Sequence, residues 1–136
     1  MDTLFIEPTA NSPLVYFEPD GKLLIEGRAI PENVSNLFDP LLLFLSKLKA
    51  EHVVFDINLE YFNTPASKKI LEMLKQIDTN PNIKTCNVNW HYETDDEDSI
   101  DMVEIYRDCM TNLSFSIIEH PDIISLYDEI NRDNSN

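Results

Sequence analysis

A chain of 136 residues, 43% of them apolar, suits one domain around one core and leaves little for a second. Its formal charge of −15, from 25 acidic against 10 basic residues, argues against general binding to nucleic acid or to an anionic membrane, because phosphates repel such a surface. That acidity fits simple solubility, or a partner with a basic docking surface.

The N-terminus carries Asp2 and Glu7 and no basic start before an apolar run, which is not the pattern of a secretory signal. Leu4-Phe5-Ile6 and Leu14-Val15-Tyr16-Phe17 are short apolar runs parted by Pro and Asn, as edge strands would be. Pro19-Asp20-Gly21 then separates the second run from Leu23-Leu24-Ile25. An Asp-Gly step supplies the positive backbone angles of a hairpin, so an antiparallel pair is expected there.

From Asn33 the period changes: Val34, Leu37, Phe38, Leu41, Leu42, Leu45 and Leu48 follow helical spacing. Pro40 falls inside this helix and predicts a separate or kinked first piece, with Asp39 capping the stretch from Pro40 to Ala50. Leu41 to Leu45 is the longest apolar run and is too short to cross a bilayer, which with the missing signal predicts a cytoplasmic protein. Val53 to Leu59, rich in β-branched and aromatic residues, reads as a central strand covered on both faces. It leads through Asn63-Thr64-Pro65 into a helix with Ile70, Leu71, Leu74 and Ile77 on one side and Lys68, Lys69, Glu72 and Lys75 on the other.

Asp78-Thr79-Asn80-Pro81 ends that helix. A strand follows from Ile83 to about Tyr92, then an acidic loop, then a helix with Ile100, Val103, Ile105 and Tyr106 near its apolar side. Phe115-Ser116-Ile117-Ile118 reads as a last strand. Pro121 is expected to open a short helix carrying Ile123, Ile124, Leu126, Tyr127 and Ile130. One domain over residues 1–130 and a frayed polar tail over 131–136 complete the expected organisation. The order implies an α/β fold: a mixed sheet of about five or six strands with three to four helices, built largely of βαβ crossovers.

Thr64 and Pro65 form a helix-opening pair. The Thr oxygen can accept from an otherwise unpaired N–H, and Pro lacks the N–H that would be wasted there, so Thr64 is the expected N-cap. A hydroxyl at a helix start is equally a place for a regulatory phosphate, which faces N–H donors and the positive end of the helix dipole. Added charge on so acidic a chain would act as an off-switch for binding rather than a change of fold. Tyr61 and Phe62 beside the hydroxyl are candidate partner contacts, although aromatics at a strand end more often pack in the core.

The run Tyr61-Phe62-Asn63-Thr64, with Lys68 opening an apolar helix, resembles the phosphosite segment of the SiaC-type regulatory phosphoproteins. Tyr16 to Pro31 with Glu32-Asn33, and Val88-Asn89-Trp90-His91-Tyr92 ahead of the acidic loop, resemble the same family in the same order, so the likeness spans most of residues 13 to 118. The resemblance implies a non-catalytic cytoplasmic adaptor controlled by a protein kinase and a PP2C-type phosphatase, and a diguanylate cyclase as the regulated partner. It places the modified hydroxyl on Thr64; Tyr61, Phe62, Asn63, Ser67 and Lys68 around it are the expected partner-binding residues. Pro65 and Ala66 stand where the family often has Ser directly after the Thr. The element order also resembles the STAS, anti-anti-sigma-factor-like architecture, whose phosphoproteins are modified at a helix start after a central strand.

Catalytic and metal motifs are sparse. Gly21 and Gly27 are the only glycines, so neither a Walker loop nor a dinucleotide fingerprint can be assembled, and no cofactor is expected. Ser46-Lys47-Leu48-Lys49 matches S-x-x-K without its companion motifs. Started at Asp95 or Asp96, the acidic loop Glu93 to Asp98 lacks the glycine and the twelfth-position acid of a calcium loop, and reads as a solvated cap with Asp98 or Ser99 as N-cap. Cys86 and Cys109 have no metal spacing and read as small buried hydrophobes. The competing functional reading is a small hydrolase or transferase using His91 and a nearby carboxylate. It requires His91 to face a pocket rather than the core.

Overall fold

The computed structural model describes residues 1–122 and 124–134. In chain order the elements are β1 (Leu4–Ile6), β2 (Leu14–Phe17), β3 (Lys22–Ala29), α1 (Val34–Lys47), β4 (His52–Phe62), α2 (Thr64–Thr79), β5 (Thr85–Glu93), α3 (Glu97–Asp108), β6 (Leu113–His120) and α4 (Leu126–Asn134). The expected α/β class holds: six strands form one mixed sheet, and four helices lie among the described residues.

The strands lie side by side in sequence order, β1 to β6. The β1–β2 and β2–β3 pairs are antiparallel, and the β3–β4, β4–β5 and β5–β6 pairs are parallel. The hairpin between β2 and β3 turns at Gly21, φ +106°, where an added Cβ would lie 2.4 Å from the His52 carbonyl oxygen. Both early runs were expected at an edge, yet β2 is interior, paired on one side with β1 and on the other with β3.

A strand order that never reverses has a consequence for layering. Successive right-handed crossovers advancing in one direction stack their helices on the same face. Val53, Phe55, Ile57 and Leu59 of β4 accordingly join Leu23 and Ile25 of β3, Cys86, Val88 and Trp90 of β5, and the buried stripes of α1, α2 and α3 in one core. The central strand is therefore covered on one face by these helices, not on both. Its burial alternates strictly from His52 to Leu59, and Val54, Asp56 and Asn58 turn to the other side. Only the C-terminal segment crosses that second face among the described elements, placing Tyr127 against Phe5 and Tyr16.

Two expected helix breaks move. α1 runs unbroken from Val34 to Lys47, capped by Asn33, whose side chain accepts from the Asn36 N–H, so Asp39 caps nothing. Pro40 is tolerated because it and Asn36, whose carbonyl loses its helical donor, both lie on the exposed face, where water replaces that donor. α4 starts at Leu126, not Pro121, and continues through Asn134; Ile123, Ser135 and Asn136 lie outside the described residues.

Candidate functional site

The start of α2 is held from several directions. Asn63, not Thr64, is the N-cap: its Oδ1 accepts from the Ala66 N–H at 3.0 Å, and its own N–H reaches the Ala29 carbonyl at 3.2 Å. Thr64 is thereby the first helical residue, with Pro65 behind it, and both are exposed. Asn outranks Thr as a cap, so the hydroxyl is left out of capping. Below it, Ala66 is buried and the Tyr106 hydroxyl of α3 donates to the Ser67 carbonyl at 2.9 Å. Burial pushes the Tyr106 phenol above its ordinary pKa.

An aromatic stack underlies this corner. Phe62 meets Trp90 edge-on at 6.0 Å, and Trp90 meets Tyr106 at 5.7 Å. The Trp90 indole N–H donates to Ser99 Oγ at 2.6 Å, fastening β5 to the first turn of α3. Phe62 thus serves the core, while Tyr61, 54% exposed, stands out from the sheet end beside Arg28 of β3. Ser67 turns its Oγ back to the Thr64 carbonyl at 2.8 Å, and Lys68 is exposed one helical turn after Thr64. The first turn of α2 contains no acidic residue.

The second candidate lies on the opposite face. His91, 6% exposed, borders a groove of about 870 Å³ rather than the helix-side core. Its Nε2 lies 2.9 Å from Asp56 Oδ1, its Nδ1 lies 2.9 Å from His120 Nε2, and the two imidazoles stack with centroids 5.1 Å apart. Asn89 Nδ2 donates to the same Asp56 oxygen at 3.1 Å. Both nitrogens of His91 are therefore committed. The groove's serine, Ser125, donates its hydroxyl to Glu26 at 2.8 Å and not to either histidine, so no nucleophile–base pair is assembled among these groups. Among the described residues no group of three or more His, Cys, Asp or Glu side chains is arranged to hold a metal ion.

The family model for SiaC family regulatory phosphoproteins matches residues 6–120. The chain belongs to that family. Solved structures of SiaC from Pseudomonas aeruginosa share the fold: the apo form has a TM-score of 0.71 at 24% identity, with 87% of this chain and 99% of that chain covered. The SiaC chain in the crystal structure of the diguanylate cyclase SiaD with its activator SiaC, from the same organism, has a TM-score of 0.75 at 24% identity, covering 86% and 99%. No curated protein matches the chain significantly.

In this SiaC-family chain the six residues singled out at the strand–helix junction do come together at the C-terminal end of β4, with three reaching the surface as Tyr61, Thr64 and Lys68. The acidic loop does cap α3, but through Asp96, whose Oδ1 accepts from the Ser99 N–H at 3.2 Å; neither Asp98 nor Ser99 is the cap, and Ser99 is buried beneath Trp90. Cys86 is buried as expected, its thiol pushed up to about 12 by burial and then by the charge of Asp78. Cys109 instead is exposed at the end of α3. The pairing of Asp56, His91 and His120 was missed, and the signal for it was the period-two polar run Asn87, Asn89, His91 in β5.

Proposed function

We propose that the protein is a non-catalytic signalling adaptor, one regulatory domain over residues 1–130, whose binding to a partner enzyme is switched by reversible phosphorylation of Thr64. Membership of a family of regulatory phosphoproteins supports the class of function. The observation that carries the site is an exposed hydroxyl on the first residue of α2, excused from capping by Asn63 and displayed on a corner fixed by Trp90 and Tyr106.

The geometry also favours one mode of action. Pro65 has no N–H, and the Ala66 N–H already serves Asn63, so a phosphate on Thr64 would find few backbone donors to order around it. Its effect would be charge. About 1.5 to 2 negative charges would appear beside Tyr61, Arg28 and Lys68, and Lys68, one turn on, would be drawn into pairing with the phosphate and away from a partner. Tyr61, Asn63, Ser67 and Lys68 form the binding surface in this reading, and Phe62 supports it from beneath. A protein kinase and a PP2C-type phosphatase would set the state, in the cytoplasm. A diguanylate cyclase is the partner class suggested by the relative crystallised with SiaD.

A pull-down comparing wild type, Thr64→Ala and Thr64→Asp tests the switch. Wild type and Thr64→Ala should capture the same partner, and Thr64→Asp should lose it. Equal capture by all three would contradict the proposal.

A further inference from the structure

The open face of the sheet already holds one occupant, the chain's own C-terminal segment. Glu26, only 8% exposed, accepts from the Ser125 hydroxyl and from the Leu126 N–H, each at 2.8 Å. Asn58 donates to Glu26 at 3.3 Å and to the Ile124 carbonyl at 2.9 Å. Two residues past Ser125, the Tyr127 ring lies 5.5 Å from Phe5 and 5.6 Å from Tyr16. A bound peptide is read in the same way. A buried carboxylate takes the capping hydroxyl and first free N–H of a helix start, an amide fixes the preceding carbonyl, and an aromatic clamp takes one side chain.

The segment lies beyond residue 120, where the family match ends. Its charge is wrong for its seat. Asp122 and Asp128 form part of the wall of the groove together with Glu60, Glu93, Asp95 and Asp96, and like charges gathered around one cleft repel one another. The hydroxyl, N–H and aromatic contacts hold it there against that repulsion. A segment with the same Ser-x-Tyr helix start, carrying lysines where this one carries acids, would keep the hydroxyl, N–H and aromatic contacts and turn repulsion into attraction.

We propose that this groove is a docking site for a basic helix-starting segment of a partner protein, with Glu26 as its anchor, and that the acidic C-terminal segment is a weak internal competitor poised for displacement. The groove is lined by none of the residues assigned to the Thr64 surface and its test leaves Thr64 unchanged, so the two proposals can fail separately.

Fluorescence anisotropy with the full-length protein provides the test. The probe is a labelled synthetic peptide of residues 121–134 in which Asp122, Asp128 and Glu129 are replaced by lysine. The controls are the native-sequence peptide and a scrambled version of the lysine peptide. The lysine peptide should bind about tenfold more tightly than either control. Alanine at the Ser125 position of the peptide should weaken it by about fivefold. The peptide substitution leaves the protein untouched, including the internal segment's own hold on Glu26, so no folding defect can decide the outcome. Equal binding of the scrambled peptide, which would show charge attraction alone, overturns the proposal. So does undetectable binding, or indifference to the serine.

Discussion

Replacing Ser99 with alanine should loosen the corner that displays Thr64. Trp90 is 1% exposed and Ser99 4%, and the indole N–H spends its single donor on Ser99 Oγ at 2.6 Å. Without the hydroxyl that donor is buried and unpaired, at a cost of about 1–3 kcal/mol. Alanine returns roughly 0.5 kcal/mol through its better helix propensity. A net loss of about 1.5 kcal/mol, set against an unfolding entropy of about 2.1 cal/mol/K per residue, lowers Tm by about 5 °C. Urea unfolding followed by circular dichroism measures the change, and fluorescence of the single tryptophan reports on its surroundings. Hydrogen exchange in the first turn of α2 should also quicken, because Trp90 packs on Tyr106, which holds the Ser67 carbonyl. Ser116→Ala, whose exposed hydroxyl makes a 3.4 Å contact with Asn87, is the control and should stay within about 0.5 kcal/mol of wild type. A Ser99→Ala protein equally close to wild type would refute the reasoning, since it would mean that the indole finds another acceptor.

Three further outcomes follow from the same structure. Asn63→Ala should cost about 1 kcal/mol in urea unfolding while Asn63→Asp retains most of the cap, and identical losses in both would remove Asn63 from that role. In the native protein a thiol reagent should modify Cys109 and leave Cys86 untouched until unfolding; simultaneous labelling of both would contradict the burial of Cys86. Alkali should destabilise the fold. Cys86 is raised from 9.0 to about 12, so its contribution is fully present below about pH 9 and is lost as pH climbs towards 12. The raised Tyr106, and Tyr16, lifted to about 12 chiefly by its hydrogen bond to Glu18, act in the same direction. Unfolding free energies that match at about pH 8 and about pH 10.5 would refute it.

Local pattern served well where a local rule decides the structure. The hairpin at Gly21 and the apolar stripe of α2 depend on neighbours a few residues away. Errors arose where two residues competed for one local role. Asn63 and Thr64 both suit a cap, as do Asp96, Asp98 and Ser99, and the winner depends on which side chain the fold turns inward: Ser99 is claimed by Trp90. Pro40 misled because its tolerance depends on which face of α1 meets water. The contacts of the open face were illegible for a different reason. Asp56 and His91 are 35 residues apart, and Glu26 and Ser125 are 99 apart, so no spacing rule connects them. The strand order does connect them: it sends three crossover helices to one face and leaves the polar face to the C-terminal segment.

The central claim is that the Thr64 hydroxyl is the group that receives the phosphoryl transfer. Site-resolved mass spectrometry of the protein expressed with and without the proposed kinase tests it directly. The account predicts phosphate on the peptide containing Thr64 and none on Thr64→Ala, with the phosphatase returning wild type to the unmodified mass. Phosphate at another residue, or full modification of Thr64→Ala, would contradict it.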